Sequence, residues 1–177
     1  MRSFISRMLV VLVMVVVVSV TTAAEAARYT EQFRGMNSIT IAGLATVPEG
    51  LGITKEECKA YIRDLVYDEL RRKLPSGILL NKDETLAGLS DGFLFVEVML
   101  VHGPGNFLGD VTLDVSRIVT LSPQEPGGEP FVAYVYYDTF PLIGKASQST
   151  KELLNEPIRM LVARFVSALL EARPDLR

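Results

Sequence analysis

From Ser38 onward the apolar positions follow two repeats, one of two residues and one of three to four, and their order along the chain outlines a fold. Ser38 to Val47, SITIAGLATV, places apolar side chains at Ile39, Ile41 and Ala45 and reads as a half-buried strand ended by Pro48, Gly50 and Gly52. Thr54 followed by Glu57 has the spacing of a capping box. Cys58, Tyr61, Ile62, Leu65, Val66, Leu70 and Leu74 then recur at three and four, which predicts a helix with one apolar stripe. Its opposite face carries Lys55, Lys59, Arg63, Asp68, Arg71 and Arg72, and the basic residues of the last turn suit the negative end of the helix dipole. Pro75-Ser76-Gly77 ends it.

Ile78 to Leu80 is a short strand candidate, followed by a loop over Asn81 to Gly92. Phe93 to His102, FLFVEVMLVH, is apolar on both faces apart from Glu97, the pattern of a central strand. Gly103, Pro104, Gly105 and Asn106 supply hairpin-loop chemistry. Val111, Leu113 and Val115 alternate with Thr112, Asp114 and Ser116 in a half-exposed strand reaching about Leu121. After the proline- and glycine-rich turn Ser122 to Pro130, Phe131 to Phe140, FVAYVYYDTF, forms the fifth strand. Ser149 and Glu152 make a second capping box, but Pro157 falls inside the apolar pattern, and proline is damaging beyond the first helical turn. The closing helix is therefore expected from about Glu156 to Ala172, with Leu153 and Leu154 in a preceding turn. Ile158, Leu161, Val162, Phe165, Val166, Leu169 and Leu170 form its buried stripe, and Arg173-Pro174 stops it.

This order predicts an α+β fold, a mostly antiparallel sheet of four or five strands with two helices packed on one face. Over Ser38 to Ala172 the order resembles small exported bacterial envelope domains such as the amino-terminal domain of the translocation protein TolB and related lipoprotein folds. The resemblance implies an envelope role and, resting on element order without a motif, implies no site residue.

The first 26 residues follow another logic. Arg2 and Arg7 precede an apolar run from Met8 to Val20, and small residues follow from Thr21 to Ala26, the layout of a secretory signal peptide. The run is about 13 residues, short of the roughly 20 that a membrane-spanning helix requires. Cleavage after Ala26 fits Ala24-Glu25-Ala26, with Thr22-Ala23-Ala24 a poorer site upstream and retention as an uncleaved anchor the alternative. Residues 27–37 then form a polar arm and 38–177 a single domain, exported to the periplasm or secreted, with no stable membrane span after cleavage.

The mature chain would hold 16 basic and 20 acidic side chains, a net charge near −4 without long blocks of one sign. Net repulsion disfavours nucleic acid, and no polybasic cluster is present for anionic lipid. Cys58 is the sole cysteine and cannot staple its own chain; its place on the apolar stripe marks it as a small buried hydrophobe.

Candidate chemistry is sparse. His102 is the sole histidine, so any Ser-His-acid or Cys-His device must use it, and a zinc site would lean almost wholly on carboxylates. Asp110 and Asp114 share a strand face with Thr112, but at roughly 3.3 Å per residue they lie about 13 Å apart, too far for one metal or an acid/base pair. Gly103-Pro104-Gly105-Asn106 and Pro126-Gly127-Gly128 precede no helix that could receive phosphate, and no G-x-S-x-G elbow occurs. No catalytic residue, metal ligand or cofactor is assigned. In the fifth strand a strict period of two puts Val132, Tyr134, Tyr136 and Asp138 on one face and Phe131, Ala133, Val135 and Tyr137 on the other, toward the core. Tyr134 and Tyr136 are thus expected on the face away from the helices, as candidate partner-binding residues. The expected function is a non-enzymatic envelope accessory or adaptor domain that binds another protein. The alternatives are a carrier of a small apolar ligand or lipid, suggested by the doubly apolar Phe93 to Val101, and a hydrolase using His102.

Overall fold

The computed structural model describes residues 32–82, 91–103, 105–120, 130–145 and 147–177. The leader expected over residues 1–26, the start of the arm, most of the loop before Gly92 and the turn after Leu121 lie outside them.

Thr54 and Glu57 close the first capping box: the Glu57 amide donates to Thr54 Oγ1 at 3.2 Å, and the Thr54 amide donates to the Glu57 carboxylate at 2.8 Å. Two amide donors that a helix start leaves unpaired are thereby satisfied, a contribution of about 1 kcal/mol. The helix, α1, runs Lys55–Lys73 and buries Cys58, Ile62, Val66 and Leu70 against the strand before it, β1 (Ser38–Thr46). The approach is close at Gly43, where a β-carbon would stand 2.6 Å from the Lys59 carbonyl oxygen.

Beyond α1 follow β2 (Leu79–Asn81), β3 (Gly92–His102), β4 (Asn106–Thr120), β5 (Pro130–Lys145) and α2 (Thr150–Ala172). The sheet order is β2-β1-β3-β4-β5. β3, β4 and β5 form a long antiparallel meander, whereas β1 pairs parallel with both β2 and β3. Antiparallel pairing covers most of the ladder, and both helices pack on one face, as the α+β reading expects. The parallel end follows from α1, since a strand pair joined through a helix returns in the same direction.

Between the sheet and the helices lie Ile39 and Ile41 from β1, Leu94, Val96, Val98 and Leu100 from β3, and Val111, Leu113 and Val115 from β4, all buried. The helices supply the other half of this core, α2 through Leu154, Ile158, Leu161, Val162, Phe165 and Leu169.

Two expectations are corrected here. α2 begins at Thr150 and passes through Pro157, capped by Ser149 and Glu152. Proline in a helix interior deletes one backbone hydrogen bond and costs roughly 3 kcal/mol. Continuing the helix offsets that cost by burying Leu153, Leu154 and the proline ring itself. The end of the polar arm is also part of the core: Phe33 and Met36 are fully buried. Phe33 packs edge-on to Phe165 with ring centroids 5.9 Å apart. Two guanidinium groups hold this segment by its carbonyls, Arg117 donating to Gln32 and Arg34 at 2.9 and 2.8 Å, and Arg173 to Phe33 and Met36 at 3.3 and 3.1 Å.

Where the helices meet, Glu69 is buried and paired with Arg159 at 3.0 Å and with Arg72. Among the described residues no helix is long and apolar enough to cross a membrane.

Candidate functional site

The helices cover one face of the sheet and leave the other open. The strand pairing sets the open face out in rows. Thr40, Phe93, Ser116 and Tyr134 form the first, and Ala42, Phe95, Asp114 and Tyr137 the second. Leu44, Glu97, Thr112 and Thr139 form the third, and Thr46, Met99, Asp110 and Pro141 the fourth. Val101, Leu108 and Ile143 close it. Its two ends are apolar, with Phe93 and Phe95 stacked at 6.4 Å at one end and Val101, Leu108 and Ile143 exposed at the other. Carboxylates and threonines occupy the middle.

The two tyrosines expected together on this face are separated by an irregularity. Ser116 pairs with Tyr134 but the adjacent Val115 pairs with Tyr136, so Val135 is the extra residue of a β-bulge. Beyond it the alternation of β5 is inverted relative to a regular strand. Tyr134 remains on the open face, 73% exposed, whereas Tyr136 is 8% exposed and packs between the helices and the sheet. Its ring meets Phe165 edge-on at 5.5 Å and Phe33 at 6.4 Å. Tyr137, assigned to the core by strict alternation, takes the open position and is 64% exposed. Asp138 likewise turns to the helix side, where Arg164 of α2 pairs with it at 3.3 Å. The open face therefore presents Tyr134 and Tyr137, not Tyr134 and Tyr136.

Asp110 and Asp114 share this face with Thr112, as expected. Burial raises the pKa of Asp114 above the ordinary aspartate range, and the Glu97 carboxylate adds to the rise. The Asp114 Oδ1 atom is buried without a hydrogen-bond partner.

The other chemical candidates are distributed elsewhere. His102, exposed at the end of β3, donates through Nε2 to the Glu49 carbonyl at 3.1 Å and lies beside the Phe107 ring. Cys58 is fully buried on the sheet side of α1, and the loss of solvation pushes its thiol pKa up to about 11, which disfavours the reactive thiolate. Among the described residues no group of three histidine, cysteine or acidic side chains could hold a metal.

Two of the surface grooves lie wholly among the described residues. One, about 500 Å³, lies where the last turns of α1 meet β2 and is lined by Tyr67, Arg71, Ile78 and Leu80 among others. The second, about 460 Å³, lies on the outside of the helix pair beside Glu69 and Arg159.

No protein-family model and no curated protein sequence matches the chain. Among solved structures, a hypothetical protein of Chlamydia trachomatis aligns over 76% of this chain and 98% of its own, with 11% identity and a TM-score of 0.48. A chain of the PelC dodecamer of Paraburkholderia phytofirmans, in a leucine-to-methionine variant, aligns over 78% and 88%, with 12% identity and a TM-score of 0.41. The lipoprotein GNA1162 of Neisseria meningitidis aligns over 73% and 98%, with 11% identity and a TM-score of 0.36. The resemblance to TolB stays one of element order.

Proposed function

We propose that this chain is a non-enzymatic accessory or adaptor domain of the bacterial envelope that binds another protein on the open face of its sheet. One observation carries the reading. Along the last strand Val132, Tyr134, Tyr137 and Ile143 are 60%, 73%, 64% and 75% exposed, the first three toward one end of the face and Ile143 toward the other, where it continues through Leu108, Val101, Met99 and Leu44 on the neighbouring strands. Scattered surface hydrophobes need no explanation, but a face that gathers them into two groups, one toward each end, is the usual mark of an interaction site. Tyrosine suits such a surface because its ring buries well while its hydroxyl stays wet.

The face is a better docking surface than the sheet edge. β5 is one outer strand, the other being the three-residue β2; the register of β5 shifts at Val135, and its Pro141 has no amide proton to donate. Both features blunt strand addition. The export expected from the leader supports an envelope partner.

Affinity capture from the envelope fraction of the native host tests the reading. A specific protein captured by the wild type should be lost with Tyr134→Ala/Tyr137→Ala/Ile143→Ser and retained with Arg63→Ala on α1. Undiminished capture by the triple variant would overturn the assigned face.

A further inference from the structure

Three carboxylates cross the middle of the open face. Glu97 lies diagonally opposite both Asp110 and Asp114, a separation of about 7–8 Å across a pleated sheet. Among the described residues none of the three enters an ion pair. Apolar rows flank them on both sides, with Phe93, Phe95, Tyr134 and Tyr137 at one end and Val101, Leu108 and Ile143 at the other.

From this arrangement we infer that the protein segment received here carries one or two lysine or arginine side chains between two apolar stretches. The inference rests on the docking reading and names the chemistry of its partner. A wholly apolar segment laid along the face would strip water from three carboxylates and give them nothing in return, a cost that opposes the gain from covering the apolar ends. A second copy of the chain related by a two-fold axis would set the acidic middle against itself. A cationic side chain instead turns the same burial into charge-assisted hydrogen bonds.

The dimensions suit a helix. Rows on one face of a strand are about 6.6–6.8 Å apart, so five rows span about 27 Å, the length of about 18 helical residues. Apolar side chains toward each end and a cation midway would meet the rows in order.

The probes are fluorescein-labelled 18-residue amphipathic peptides, identical except for lysine, glutamine or glutamate at two central positions, titrated into the purified protein. The lysine peptide should bind about tenfold or more tightly than the glutamine peptide, and the glutamate peptide weakest. In Glu97→Gln/Asp110→Asn/Asp114→Asn, with folding verified by its thermal transition, that preference should vanish. Tyr134→Ala/Tyr137→Ala should weaken the lysine and glutamine peptides alike. If both of these peptides bind the wild type equally and the tyrosine variant weakens both, the docking face stands and the cationic partner is overturned. A lysine preference that survives in the carboxamide variant overturns it too, and no binding by any peptide overturns the inference together with the face.

Discussion

Tyr134 and Tyr136 are two residues apart on one strand and lie on opposite faces of the sheet, because Val135 between them has no counterpart on β4. One extra residue thus decides which tyrosine belongs to the core and which to the surface that we assign to a partner. The distinction is measurable. Tyr136→Ala should lower stability by about 3–5 kcal/mol, since it removes a buried ring that contacts Phe33 and Phe165. Tyr134→Ala and Tyr137→Ala should each stay within about 0.5 kcal/mol of the wild type. Urea denaturation of the three variants compares them directly.

Arg173 ties the two ends of the described chain together, donating to Phe33 and Met36 while Asp175 holds its guanidinium at 2.7 Å. Replacing it with methionine keeps most of the stem but leaves two buried-segment carbonyls without their donor, at a cost of about 1–3 kcal/mol. Arg173→Lys should recover little of this, because an ammonium cannot reproduce the planar fork. Hydrogen exchange should rise first in residues 33–37.

Asp114 supplies a pH signature. Its pKa in the folded state lies above the ordinary aspartate value, through burial first and the Glu97 charge second. The folded protein therefore binds this proton more tightly than the unfolded chain, and the ionised carboxylate opposes folding. Its effect is absent below the ordinary value, grows as pH rises toward the raised value and is complete above it. Asp114→Asn should accordingly raise the urea midpoint at pH 7, with the gain disappearing near about pH 3. Glu97→Gln should bring the Asp114 titration, followed by carboxyl NMR shifts, down toward the ordinary range.

Gly43 marks the tightest contact between helix and sheet. Gly43→Ala would force α1 away from β1 to relieve the 2.6 Å approach to the Lys59 carbonyl, and should cost about 1–3 kcal/mol. Calorimetric melting of the variant, expected below the wild type by several degrees, checks it.

Much of the architecture was legible in the chain. Both capping boxes, the two apolar helical stripes and the alternation of β4 are local patterns, and each reports a local structure directly. What escaped was set by partners distant in sequence. The parallel pairing of β1 depends on where α1 returns the chain, which Ser38 to Thr46 cannot express. Phe33 and Met36 are two apolar residues without a period, and only Phe165, Arg117 and Arg173, more than eighty residues away, make them core. Pro157 by itself predicts a helix boundary, but burial of the turn around it outweighs one lost hydrogen bond. At the candidate site, the face was legible for Tyr134, Asp110 and Asp114. It was not for Tyr136 and Tyr137, because a bulge in β5 is a property of its pairing with β4, and FVAYVYYDTF contains no glycine or other residue that announces one.

Site-specific photocross-linking in cells of the native host tests the docking face most directly. A benzophenone side chain in place of Tyr134, Tyr137 or Ile143 should give one discrete adduct with a second protein, whereas the same group in place of Arg63 or Glu171 on the helices should give none. Adducts arising from the helix positions, with nothing captured from the three strand positions, would contradict the account.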